Sequence, residues 1–136
     1  MAGARDERRI APPMSIETFE IEASTADGDR AHVTLCVPER SRFFDGHFEG
    51  MPMLPGVAQV VAIAHREATR IFGALGTPHR MSRVKFQQTI LPGDRLSLRL
   101  ERVREATLVT IRFRLSRTTS EGPASSGTLA YDGATP

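Results

Sequence analysis

The chain has 136 residues, 40% hydrophobic and 25% charged, with a formal net charge of +2: enough for one continuous core and too few for two ordinary domains. Its arginines are scattered and its charge is small, which argues against nucleic acid as a partner, and no apolar run is long enough to cross a bilayer. Cys36 is alone, so no internal disulfide forms, and Met1 to Pro13 lack the apolar core of a secretory signal, so a cytoplasmic protein is expected.

Residues 1–15 are polar and proline-containing and read as a flexible arm, leaving 16–136 as one domain. From Thr18 to Ala23 polar and apolar residues alternate, Asp27-Gly28-Asp29 marks a turn, and Ala31 to Val37 alternate again, which predicts a β-hairpin closed by Pro38. The Gly/Pro-rich segment from Phe43 to Pro55 is too long for a plain connection and is the candidate functional loop.

From Gly56 to about Leu75, Val57, Val60, Val61, Ala64, Ala68, Ile71, Phe72 and Leu75 recur at helical spacing, so one wide face is expected to be buried, and Gly76-Thr77-Pro78 stops the helix. Strands are then predicted at Met81–Ile90, Arg95–Val103, Thr107–Ser116 and Ser126–Tyr131, separated by Pro92-Gly93-Asp94, Arg104-Glu105-Ala106 and the break from Ser120 to Ser125. No internal repeat is present. The pattern is that of an α+β domain, an antiparallel sheet wrapped around one long central helix.

The chemistry concentrates in the loop. His47 is a titratable imidazole in a segment stiffened by Pro52 and Pro55, running straight into the helix, whose first N–H groups lack intrahelical acceptors. A neutral imidazole can take the acidic α-hydrogen of a thioester, and the backbone N–H of Gly56, at the positive end of the helix dipole, can hold the oxygen that becomes enolate-like.

Gly46-His47-Phe48, Pro52 and Leu54-Pro55-Gly56-Val57, followed by Val84-Lys85-Phe86 and Leu91-Pro92-Gly93-Asp94, resemble the paired signatures of the hot-dog-fold 3-hydroxyacyl-[acyl carrier protein] dehydratases of the FabZ/FabA-like type. Leu-Pro-Gly-Val-x-Gln is most similar to the aryl-polyene and polyketide-type branch. The resemblance covers roughly residues 16–131 and implies a homodimer or a higher multiple of dimers, with sites at the subunit interface. It also implies an acyl substrate on the phosphopantetheine of an acyl carrier protein, and no further cofactor or metal. Phe48, Pro55, Val57, Gln59 and Val61 are expected on the substrate side.

In that family a carboxylic acid on the helix, fourteen residues after the histidine, protonates the leaving hydroxyl; here the position is Val61. Losing such a group typically costs a factor of ~100 to ~10,000 in rate. His65, four residues beyond Val61, is the candidate substitute acid as an imidazolium, with a polar residue at the helix edge or dimer seam as the alternative. Gln59 can orient a water or bind the carrier arm but cannot act as an acid. Glu49 reads as a solvated loop charge that can also tune His47.

Arg66 and Glu67 are expected on the polar side of the helix, and His32 and His79 do not form a zinc-ligand spacing. No phosphate loop, nucleophile elbow or dinucleotide fingerprint is present. Arg80, Arg83 and Lys85 form a small basic surface suited to an acidic carrier or the pantetheine phosphate, or an ordinary solvated strand.

The leading expectation is a dehydratase-like lyase that converts 3-hydroxyacyl-carrier thioesters to trans-2-enoyl thioesters, with His47, Gly56 and His65 as its catalytic groups. One alternative is a catalytically reduced hot-dog subunit that binds acyl chains or partners a complete dehydratase; the other is an acyl thioesterase, disfavoured because the helix carries no carboxylate on its buried face before Glu67.

Overall fold

The computed structural model describes residues 19–39, 54–73 and 75–132. His47, Phe48, Glu49, most of the loop from Phe43 to Pro55 and the expected N-terminal arm lie outside the described residues.

The hairpin forms from β1 (Glu20–Asp27) and β2 (Arg30–Cys36), turning at Gly28 with φ of 64°. β3 (Arg80–Phe86), β4 (Arg95–Glu105), β5 (Leu108–Arg117) and β6 (Ser125–Asp132) complete one antiparallel sheet in the order β1-β2-β4-β5-β6-β3. β3 is shorter than expected: after Phe86 the N–H groups of Gln87 and Gln88 donate to the carbonyl of Ala124, at 2.7 and 3.2 Å. β3 also bulges, its register to β6 shifting between Ser82 and Lys85, with Arg83 at φ of 56°.

Alternation puts every second residue on one face. Ala31, Val33 and Leu35 of β2, Leu96, Leu98 and Leu100 of β4, Ile111, Phe113 and Leu115 of β5, and Leu129 and Tyr131 of β6 are buried and form a single core with Ala58, Val60, Ile63, Ala64 and Ala68 of the helix. Each large side chain so buried contributes about 1.5–3 kcal/mol against exposure, so this face fixes the strand register.

The helix is not α-helical throughout. Ala58–His65 is a π-helical segment, and Arg66–Phe72 forms α1. At the junction the N–H of Arg66 donates to the carbonyl of Val61, five residues back. Such wide turns are rare, and they alter which residues share a helix face.

The Leu-Pro-Gly-Asp motif is a structural joint. Gly93 has φ of 84°, a conformation that favours glycine, and its N–H donates to the Val37 carbonyl at 3.0 Å, while the Val37 N–H donates to the Asp94 carbonyl at 2.8 Å. The Asp94 carboxylate accepts from the Leu91 N–H at 2.8 Å and from Arg117 Nε at 2.9 Å. The turn therefore ties the end of β2 to the start of β4 and the end of β5.

Candidate active site

The start of the helix is held from both sides. The Leu54 N–H donates to the Ile90 carbonyl at 2.8 Å, anchoring the chain that enters the helix to the segment after β3. The Pro55 carbonyl accepts from the N–H groups of Ala58 and Gln59, at 3.1 and 3.2 Å. Gly56 and Val57 precede these first helical bonds, so their N–H groups are the two that the helix itself does not pair.

Phe86, at the end of β3, covers Gly56. A Cβ built on Gly56 would lie 2.7 Å from Cζ of that ring, so glycine is the residue the close packing permits. Phe86 is nevertheless 51% exposed, and the ring lies at the edge of the molecule. Phe86 belongs to the Val84-Lys85-Phe86 motif, and no sequence signal marks its contact with the helix start.

Gln59 faces inward. Its Nε2 donates to the Leu54 carbonyl at 3.1 Å, and it is buried, so it clamps the entry turn. Because Leu54 offers an acceptor, the amide orientation is fixed, and Oε1 is left buried without a partner among the described residues. Val57 and Val61, expected on the buried face, lie instead on the opposite, open side, 67% and 44% exposed, because the core is filled by Ala58, Val60, Ile63 and Ala64. The position where a carboxylic acid was expected is thus a valine beside Val57 on an exposed apolar face.

His65 packs against β6. Its Nδ1 is 2.7 Å from Tyr131 Oη, and the two rings stack 5.6 Å apart at 21°. Burial lowers the imidazole pKa and pushes the Tyr131 phenol up to about 12, so the pair is a hydrogen bond between neutral groups near pH 7. An acid role as imidazolium is what this setting disfavours. Val61, four residues earlier, is 44% exposed, whereas His65 is half-buried against β6. Tyr131 itself gave no sequence signal beyond an apolar strand position.

Glu67 is the clear correction to the polar-side reading. It is 5% exposed, and its carboxylate accepts from Arg70 Nε at 2.7 Å, while Arg70 Nη2 reaches Ser24 Oγ at 2.8 Å. A cation three residues on, bridging to β1, lets the carboxylate be buried. Away from the helix, His32 Nε2 lies 2.7 Å from Ser97 Oγ, and His79 Nδ1 lies 3.1 Å from the Asp132 carboxylate.

With a helix start cradled under an aromatic ring and packed on an antiparallel sheet, comparison with known proteins becomes decisive. The family model described as ApeI-like, ApeI dehydratase, matches residues 23–128. The chain belongs to the ApeI-like dehydratase family.

The 3-hydroxyacyl-[acyl-carrier-protein] dehydratase FabZ of Roseobacter denitrificans is 33% identical over 96 residues, covering 65% of this chain and 60% of that protein. The FabZ of Moorella thermoacetica is 37% identical over 89 residues, covering 61% and 59%. This chain therefore spans about three fifths of the length of those two relatives, and only 14% of the bifunctional LpxC/FabZ enzyme of Bacteroides thetaiotaomicron. Among solved structures, the dehydratase heterocomplex ApeI:P from Xenorhabdus doucetiae superposes with a TM-score of 0.65 at 27% identity, covering 82% of this chain and 96% of that one. Mouse thioesterase superfamily member 2 superposes at 0.60 with 14% identity, over 83% and 89%, a likeness of fold alone. The architecture is the hot-dog fold, as the sequence resemblance implied.

Proposed function

We propose that the chain is a dehydratase subunit that removes water from 3-hydroxyacyl thioesters of an acyl carrier protein, leaving 2-enoyl thioesters. The observation that carries this reading is the Gly56 amide, unpaired by its own helix and bare of a side chain, with the Phe86 ring packed where a Cβ would lie. A thioester oxygen at that amide gains a donor at the positive end of the helix, which stabilises the negative charge that builds when the α-proton leaves.

His47, nine residues upstream, is the base in this reading. It breaks the α C–H bond; the electron pair forms the double bond and expels the 3-hydroxyl, which departs as water once protonated. Val61 cannot supply that proton, so it comes from the protonated His47 itself or from a partner subunit. His65, neutral beside Tyr131, has the role of a hydrogen-bonding neighbour in this account.

A second reading is favoured by the exposed apolar side chains Val57, Val61, Met81 and Phe86 together with β3, an edge strand paired only to β6. Such a surface calls for a second subunit, and a partner carrying the carboxylate that Val61 lacks would complete the site. The ApeI:P structure is of a dehydratase heterocomplex, which supports pairing with an unlike subunit.

Mass spectrometry of a 3-hydroxyacyl carrier protein incubated with the purified chain tests both readings. Loss of one water by the chain alone supports the first. Inactivity alone with activity gained in Val61→Glu supports the second, and release of free thiol instead of water overturns both in favour of hydrolysis.

A further inference from the structure

The face of the sheet turned away from the helix holds a nucleophile and a base that the thioester chemistry does not use. His32 of β2 and Ser97 of β4 alternate with the core residues Ala31, Val33, Leu96 and Leu98, so both side chains point outward. They are diagonal neighbours across the ladder, since Thr34 is opposite Ser97 and Arg99 is opposite His32. Ser97 Oγ lies 2.7 Å from His32 Nε2, the contact in which an imidazole carrying its proton on Nδ1 accepts from a hydroxyl.

The surroundings leave that hydroxyl within reach. Its row is Thr34, Ser97 and Ser116, all short side chains, whereas the neighbouring row is His32, Arg99 and Arg114. Short side chains beside long ones leave a trough, with Ser97 half-buried on its floor. A depression of about 180 Å³ lies against His32 and Arg99 and is lined also by Thr25 and Arg30. Arg99 and Arg114 are exposed and face each other with no carboxylate partner among the described residues, whereas Glu101, in the row beyond, takes Arg30 and Arg112, at 3.7 Å each. Opposed cations cost a sheet stability, and an anion held between them removes that cost.

We propose that Ser97 and His32 form a second active site, of esterase type, for small carboxylic esters that carry an anionic group. The site goes beyond the dehydratase reading and shares no residue with the helix start. His32 Nε2 takes the hydroxyl proton as Ser97 Oγ bonds to the ester carbonyl carbon, whose oxygen gathers negative charge beside the Arg99 guanidinium. Arg114 holds the substrate's own anionic group. The adduct collapses by breaking its bond to the alcohol oxygen, which leaves with the proton from His32, and the acyl group stays on Ser97. Water, giving its proton to His32, then attacks the acyl carbon; the bond to Oγ breaks, Oγ recovers the proton, and the carboxylic acid departs.

The probe is the mono-4-nitrophenyl ester of succinic acid, with 4-nitrophenyl acetate as its neutral counterpart. With the full chain, the succinate ester should give a burst of nitrophenolate followed by steady turnover, and peptide mass spectrometry of a quenched sample should place one succinyl group on Ser97. Ser97→Ala should remove both, and His32→Asn should slow the burst by about 100-fold. Arg114→Ser should raise KM for the succinate ester by about tenfold and leave the acetate little changed. Should the alanine variant misfold, Ser97→Cys keeps a nucleophile of similar size, and its thiol should take the succinyl group in place of the hydroxyl.

A cross-strand hydrogen bond without chemistry predicts the opposite of these results. The proposal is overturned if Ser97 carries no acyl group, if turnover survives in folded Ser97→Ala, or if His32→Asn acylates Ser97 at the wild-type rate. Equal effects of Arg114→Ser on the two esters would overturn the preference for an anionic substrate.

Discussion

The two ends of the helix solve opposite problems. Around α1, the one buried carboxylate has its cation: Glu67 meets Arg70, which continues to Ser24 on β1. Just upstream, His65 meets Tyr131. At the entry, by contrast, two amides stand unpaired by the helix, Gln59 Oε1 is buried without a partner, and Val57 and Val61 face outward. The charged and ring groups near α1 are paired within the chain, although Thr69 Oγ1 of α1 is, like Gln59 Oε1, buried without a partner among the described residues. The unpaired amides and outward valines distinguish the entry, where a substrate and a second subunit are proposed to sit.

The contrast breaks most visibly at Gly56. Gly56→Ala drives a methyl group into the Phe86 ring, and because a displacement near 1 Å can cost about a hundredfold in rate, dehydration should fall on that order. Steady-state kinetics checks this, and Phe86→Leu in the same chain should recover thermal stability by giving the methyl room.

At the satisfied end the effects fall on stability, and they are asymmetric. Arg70→Ala leaves the Glu67 carboxylate buried and unpaired and should cost about 3 kcal/mol in urea unfolding. Glu67→Gln should cost less, since the remaining guanidinium is 44% exposed and water can solvate it. Equal losses would show that the carboxylate is not the buried partner.

Smaller again is the His65–Tyr131 contact. Tyr131→Phe removes one hydrogen bond and should cost about 1 kcal/mol. The imidazole has a pKa below its ordinary value of about 6.5, so the unfolded chain binds its proton first on acidification. The contribution of His65 is full above pH 6.5 and is lost as pH falls from there through its lower folded value. His65→Gln should therefore flatten the dependence of melting temperature on pH in that window and leave the neutral-pH end little changed.

How far the sequence showed this contrast depended on the kind of signal. β4 and β5 were legible because Leu96, Leu98 and Leu100, and Ile111, Phe113 and Leu115, alternate with charges. β1 was legible from the alternation over Thr18–Ala23 and the turn at Asp27-Gly28-Asp29, yet it is exposed along its whole length as an edge strand. The helix was visible but not its π-helical segment, since apolar spacing alone does not distinguish the two ladders. Glu67 was misplaced because periodicity assigns a carboxylate to the polar side and is blind to an arginine that can neutralise it. Gly56 could be named from helix-start logic, whereas its cover by Phe86 joins residues thirty apart in sequence and needed the sheet to bring them together.

The central claim is that His47 and the Gly56 amide act together on a carrier-bound thioester. Its most direct test is formation of the 2-enoyl thioester from a 3-hydroxyacyl carrier protein by wild type and by His47→Ala, each paired with the subunit that gives wild-type turnover. The account predicts a fall of about 100- to 10,000-fold in the variant with unchanged melting temperature. Full activity in His47→Ala would contradict it.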